Sequence, residues 1–278
     1  MKITVVVPTC HRNFDLAKCL DCLAPGVQTL DPAEYDVIVS DDGVATTAEQ
    51  MMRSDYPWAM WTRGPRRGPA ANRNHGAGLA TTDWLAFTDD DCLPSEGWLQ
   101  AYFDARGQAE VLEGLTCADR EMRRHDEESP INLYGGYLWS CNFAIRKTLF
   151  EELGEFDENY PAPALEDCDL RERIIAHGTK FKFIPQAKIV HPWRERKNWR
   201  FWLDWDLAFR IYVQKHRHLK PTNIRLYYLE VAVRQLHRLF KEAAAMRTMS
   251  GIWGAVRYIS VLVYLAIRIN YVKSVVQK

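Results

Sequence analysis

Leu85-Ala86-Phe87-Thr88-Asp89-Asp90-Asp91-Cys92 is an apolar run that ends in three successive carboxylates. It reads as a buried strand of an open α/β sheet that delivers acidic side chains to its C-terminal tip, where such sheets place their ligands. Three adjacent acids repel one another, so a positive group belongs among them. A hard divalent cation held through oxygen, Mg²⁺ or Mn²⁺ bridging to a substrate phosphate, meets that need. A solvated acidic turn is the competing reading.

Upstream, Ile3-Thr4-Val5-Val6-Val7 is a β-branched run suited to a strand buried on both faces, and Pro8-Thr9-Cys10 stops it. Phe14, Leu16, Leu20 and Leu23 then recur at helical spacing over 13–23, completing half of a βαβ unit. A second strand, Tyr35 to Ser40, again ends in acids, Asp41-Asp42-Gly43. Two neighbouring parallel strands therefore present carboxylates at one sheet edge, able to accept from a base or a sugar hydroxyl. A capped turn leading into a helix is the alternative there. The loop Arg63-Gly64-Pro65-Arg66-Arg67-Gly68-Pro69 supplies arginines fit for a diphosphate. The small residues from Ala70 to Ala80 after it predict a closely packed helix carrying Asn72, Arg73 and Asn74.

The order VVVPTCHR, VIVSDDG, GPAANRNHGA, LAFTDDDCLPSEGWL resembles the N-terminal half of the family 2 inverting glycosyltransferases. Gly154-Glu155-Phe156-Asp157-Glu158 and Leu165-Glu166-Asp167-Cys168-Asp169-Leu170 are similar to two segments of that family's second half. The resemblance implies an α/β fold of GT-A type, with a Rossmann-like, mostly parallel central sheet flanked by helices. By it, residues 1–98 bind a nucleotide-diphosphate sugar, UDP- or dTDP-linked, and 99–195 bind the acceptor, a glycan or lipid-linked glycan. The donor positions it implies are Pro8, Thr9 and Arg12, then Asp41 and Asp42, then Gly68, Asn72, Arg73 and Asn74, and Asp89 and Asp90. Asp42 would meet the base, Arg73 the diphosphate, and Asp89 and Asp90 the ribose and sugar. Asp91, with Asp89 and His191, would hold Mn²⁺ or Mg²⁺. Asp167 would be the general base, with Glu166 as the second candidate. Without that context, Glu166, Asp167 and Asp169 read as an acidic helix start that complements the helix dipole, and His191 as an ordinary core or surface histidine.

The formal charge of zero conceals a division. Residues 1–170 hold 14 Lys/Arg against 30 Asp/Glu, and residues 171–278 hold 22 against 6, balances of −16 and +16. From Trp199 the pattern changes to long helices, 224–246 and 252–276 among them, in which aromatics alternate with arginines. The basic region 196–278 thus reads as a helical extension able to lie on an anionic membrane. Its longest apolar run, Ile259 to Ile267, is too short for a span, which needs about 20 residues. Packing on the core or on a second copy is the competing reading, and no groove-reading motif points to nucleic acid. Met1-Lys2 leads straight into a strand, so no secretory leader is expected. The seven scattered cysteines suit a reducing compartment, and Cys19-x-x-Cys22 lacks a second pair for zinc. These features place the protein in the cytoplasm, peripheral on the inner face of the cell membrane. Two other functions compete: a nucleotidyltransferase, which would carry a Gly- and Lys-rich signature after the first strand, and a non-catalytic protein that keeps the fold.

Overall fold

The computed structural model describes residues 2–161, 163–196, 199–246 and 248–276, with side chains as far as Arg268. In chain order the first elements are β1 (Ile3–Thr9), α1 (Asn13–Leu23), β2 (Tyr35–Asp41), α2 (Glu49–Asp55), β3 (Met60–Arg63), α3 (Pro69–Leu79) and β4 (Trp84–Phe87). Then come β5 (Leu93–Pro94), α4 (Trp98–Ala105), β6 (Val111–Cys117), β7 (Glu127–Glu128), β8 (Phe143–Arg146), α5 (Lys147–Glu152), α6 (Glu166–His177) and β9 (Phe181–Val190). The chain closes with β10 (Arg194–Glu195), α7 (Trp199–Lys215), α8 (Ile224–Met246) and α9 (Ile252–Val276).

Eight strands form one sheet in the order β3-β2-β1-β4-β8-β6-β9-β5. The first four are parallel, as the short strand–helix–strand spacing requires, and β6 with β9 is parallel too. Strand β8 runs antiparallel between β4 and β6 and joins the two parallel groups. All seven residues of β1 are buried, because β2 and β4 flank it in the sheet while α3 packs against it. Its register sets Thr9 opposite Asp41 and Val6 opposite Phe87, so the acids after β2 and β4 emerge at the same edge.

Helix α3 begins at Pro69, whose fixed φ suits a first helical position, after Gly68 at φ 96°. Its small residues let it lie almost on the sheet: a Cβ added at Gly76 would come within 2.7 Å of Val6 Cγ1. That closeness carries Arg73 to the strand tips. On the same side Phe87, Phe143, Phe150 and Phe156 pack with ring centroids 5.0 to 6.2 Å apart, an arrangement favoured by the ring quadrupoles.

The chain divides into two compact units, 1–119 with 130–192, and 120–129 with 193–278. The sequence boundary at 195/196 did not anticipate that 120–129 joins the C-terminal helices. The cause is non-local pairing, because β7 forms an antiparallel ribbon with β10. In this second unit Trp202, Trp205 and Phe209 of α7 pack against other rings, whereas Trp199 is exposed. Trp205 stacks on Phe209 and Phe209 on Tyr227, at 5.4 and 5.0 Å, and Trp202 lies 4.4 Å from Tyr258. The buried Asp206 accepts from Tyr228 Oη at 2.5 Å and Arg210 Nε at 2.9 Å.

Candidate active site

Strand β4 ends at Phe87, and the next four residues turn at the sheet edge with three carboxylates. Each meets a different partner. Asp89 accepts from Arg73 Nη2 at 2.7 Å. Asp90 is buried and accepts from Thr9 Oγ1 at 2.7 Å and from Arg12 Nε at 3.1 Å, with a further contact to Arg12 Nη2. Asp91 accepts from Arg12 Nη1 at 3.1 Å and presents Oδ1 to His191 Nε2 at 3.4 Å. The positive charge that three acids demand is thus supplied in part by the protein itself, from Arg12 and Arg73.

Burial pushes Asp90 up to about 6, although Arg12 and Thr9 pull the other way. Burial also opposes the charge on Arg73, but Asp89 and Glu166 outweigh it and hold the guanidinium more firmly protonated than usual. Arg12 behaves alike, with Asp90 and Asp91 as the opposing acids.

Opposite these acids, α6 begins with Glu166 and Asp167, both buried. Leu165 before them stands at φ 72°, a left-handed turn that an L-residue rarely adopts. Glu166 accepts from Arg73 Nη1 at 2.9 Å, so one guanidinium bridges the two sides. Its other oxygen is buried with no hydrogen-bond partner. Asp167 accepts from the backbone N–H of Ser140 at 3.2 Å and of Cys168 at 2.8 Å. Burial, then the neighbouring Asp167, pushes Glu166 up to about 7; burial also raises Asp167. The pair therefore titrates above the ordinary carboxylate range, where a base for neutral-pH chemistry belongs.

The other positions read from the sequence divide into two groups. Asp42 accepts from the N–H of Arg66 at 2.8 Å and stands at the β2 tip, raised by burial. Gly68 supplies the turn into α3. Asp41 and Asn72 are consumed inside the fold. Asp41 accepts from Gly43 N, Ala48 N and Trp61 Nε1 at 2.8, 2.7 and 3.2 Å. Asn72 bonds the Ser40 hydroxyl at 2.6 Å and donates to the Ser40 carbonyl at 2.9 Å. Asn74 is a clasp for the Gly154–Glu158 turn, exchanging hydrogen bonds with the Phe156 backbone at 2.8 and 3.0 Å. Pro8 lies within β1, paired with Ser40. Arg67, one of the loop arginines, meets Glu158 at 2.6 Å.

Among the described residues, Asp91, Cys92 and His191 place ligand atoms within 4.8 Å of one another. Asp89, also read as a metal ligand, stands outside this group and is held by Arg73. His191 Nδ1 lies 3.0 Å from the Pro192 carbonyl, which can only accept, so Nδ1 carries a proton, and in the neutral form of the ring Nε2 presents its lone pair toward Asp91. A carboxylate and an imidazole nitrogen at this separation fit two adjacent ligands of Mn²⁺ or Mg²⁺, which sit about 3 Å apart at metal–ligand distances near 2.1 Å. Cys92 is fully buried, and burial raises its thiol well above its usual range. It stays protonated and serves as packing.

Glu113 was not singled out from the sequence. Buried in β6, it accepts from Asn132 Nδ2 and from the N–H groups of Gly136, Tyr137 and Leu138 at 2.5 to 2.8 Å. It thereby fixes the loop that ends at Ser140, against which Asp167 rests. An acid inside the apolar run Val-Leu-Glu-Gly-Leu is the signal that points to it, since a buried carboxylate must find donors.

A β3-β2-β1-β4 order with acids at the β2 and β4 tips, and a carboxylate pair facing them, defines a GT-A-type fold. Residues 4–110 match glycosyl transferase family 2. It is 28% identical over 221 residues to the pre-mycofactocin glycosyltransferase of Mycobacterium tuberculosis, covering 71% of this chain and 44% of that protein. It is 27% identical over 212 residues to the succinoglycan biosynthesis protein ExoM of Rhizobium meliloti, covering 69% and 68%. The chain thus spans less than half the length of the mycobacterial relative. The crystal structure of S. aureus TarS in complex with UDP-GlcNAc has the same fold, with a TM-score of 0.56 at 17% identity over 85% of this chain and 66% of that one.

Proposed function

We propose that the protein moves a glycosyl group from a nucleotide-diphosphate sugar to an acceptor hydroxyl, with inversion at the anomeric carbon. The observation that carries the reading is the Arg73 bridge: one buried guanidinium touches Asp89 on the donor side and Glu166 beside the candidate base. Asp42 accepts from the base, for which uracil or thymine is favoured; the UDP-GlcNAc bound by TarS supports the uracil reading. Asp89 and Asp90 face the ribose and sugar, with Asp90 fixed by Thr9 and Arg12.

Asp91 and His191 are the residues that would hold Mn²⁺ or Mg²⁺, which when bound offsets the negative charge on the leaving diphosphate. Asp167 takes the proton from the acceptor hydroxyl, and its two backbone N–H contacts aim the carboxylate. Glu166 orients Arg73. The acceptor is a glycan or lipid-linked glycan, in keeping with the polysaccharide named for the ExoM relative. No observation favours the nucleotidyltransferase reading: Pro8-Thr9-Cys10-His11-Arg12 occupies the place of its Gly- and Lys-rich signature.

Asp167→Asn tests the assignment. Transfer should fall by about 10³-fold, within the range for loss of a general base, while calorimetric donor binding stays near wild type. Near-normal turnover in this variant removes Asp167 from the role. Failure of the wild-type chain to bind or hydrolyse any nucleotide-sugar in a thermal-shift and hydrolysis screen with Mn²⁺ removes the function.

A further inference from the structure

Helix α8 is apolar on two faces. Tyr228, Ala232 and Leu239 are buried, on the helix that packs against α9. Leu226, Val233, Leu236 and Phe240 follow at i, i+7, i+10 and i+14, one stripe of the helix surface, and all are exposed, Val233 by 66% and Phe240 by 68%. Helix α9 repeats the pattern. Ala255, Leu262, Leu265 and Ala266 are buried, whereas Trp253, Val256, Val263, Tyr264 and Ile267 form an exposed stripe that begins with Trp253 at 80% exposure. An internal helix hairpin needs one apolar face per helix. Here each helix has a second.

Charge indicates what covers it. Helices α8 and α9 together carry seven Lys/Arg and two Asp/Glu. Both acids are already engaged within α8, Glu230 with Arg234 at 3.5 Å and Glu242 with Arg238 at 2.5 Å. Arg225, Lys241, Arg257 and Arg268 are exposed beside the stripes. A surface that is apolar along its centre and cationic at its borders matches the acyl boundary and headgroups of an anionic leaflet. A second basic copy would bring like charges together. Among the described residues no helix is long and apolar enough to cross a membrane, so contact is in the plane of the surface. Trp202, Trp205 and Phe209 of α7 are not the docking belt, because they are used in stacking within the unit.

We infer that the exposed stripes of α8 and α9 seat this chain on an anionic lipid surface, with Phe240 and Trp253 entering the acyl boundary and the bordering arginines and lysines meeting the headgroups. The inference stands on these helices alone and needs no donor or acceptor.

The test is co-flotation of the full chain with phosphatidylcholine vesicles, with and without phosphatidylglycerol. Binding should require phosphatidylglycerol and weaken as salt is raised. Phe240→Ser and Trp253→Ser should each weaken it by about tenfold, as expected for removing one large apolar side chain from the boundary. Arg225→Gln with Lys241→Gln should lower it by about 25-fold, at roughly fivefold per charge. Phe14→Ser, an exposed aromatic elsewhere, should change nothing. Equal binding to both vesicle types, or none, overturns the inference. So does light scattering that shows a dimer which Phe240→Ser returns to monomer, since the stripe would then belong to a second copy.

Discussion

The tips of β2 and β4 both carry consecutive aspartates, yet their carboxylates meet different company. Asp41 is enclosed by three neutral N–H donors from its own turn, helix and neighbouring strand. Asp89, Asp90 and Asp91 are met by two guanidinium groups and an imidazole that arrive from other parts of the chain. Three neutral donors saturate the Asp41 carboxylate and leave it a structural acceptor. The two guanidiniums leave a site whose charge is partly balanced but rearrangeable, and a phosphate-bearing ligand with its own cation can compete for it. An acidic strand tip is therefore not a site by virtue of its acids. The partners decide.

Four changes would break or sharpen this contrast. The largest effect belongs to Asp91→Ala, which should lower turnover by about 10³-fold, the equivalent of several kcal/mol of charge stabilisation, and abolish the Mn²⁺ dependence of donor binding in calorimetry. Arg73→Met should follow, costing about 3–5 kcal/mol in urea denaturation because Asp89 and Glu166 would lose the cation they share. Asp41→Asn should cost about 1–3 kcal/mol, since an amide nitrogen would face N–H groups. Its donor affinity should stay near wild type, and a loss of donor binding greater than the loss of stability would make Asp41 part of the site after all.

The smallest effect is a pH dependence. Asp90 and Glu166 titrate near 6 and 7 when folded, against ordinary values of 3.8 and 4.5. Across those intervals the folded chain binds more protons than the unfolded one, so stability falls as pH rises through them. The acidic limb of turnover against pH should bend above the ordinary carboxylate range. Glu166→Gln should flatten the upper part of the stability curve, because its titration near 7 would be gone.

Much of the fold over residues 1–98 is legible in the sequence because its signals are local. The β-branched run of β1, the helical spacing of α1 and the small residues of α3 each act within one element, and each element forms where its pattern lies. The insertion of β8 and the pairing of β7 with β10 depend on partners far away in the chain, which no local pattern encodes. The same distance hid the role of Arg12: as a strand-end cation it was readable, but the 78 positions separating it from Asp90 concealed that it neutralises the acid triplet. Asn72 and Asn74 sit on the expected helix, yet their amides serve the fold. On α7 a row of tryptophans reads alike whether it stacks internally or meets lipid, and only the neighbouring rings distinguish the two.

Strand β8 has a further consequence. It is hydrogen-bonded on one side to the strand that ends in the acid triplet and on the other to the strand that carries Glu113, with Phe87 set opposite Phe143 and Phe143 opposite Glu113. The acid triplet and Glu113 are thus gauged against one ruler whose divisions are peptide units, about 3.3 Å each. Deleting a single residue of that ruler would shift one flanking strand by a whole division and turn its side chains to the opposite face, whereas a lengthened surface loop would leave the alignment intact.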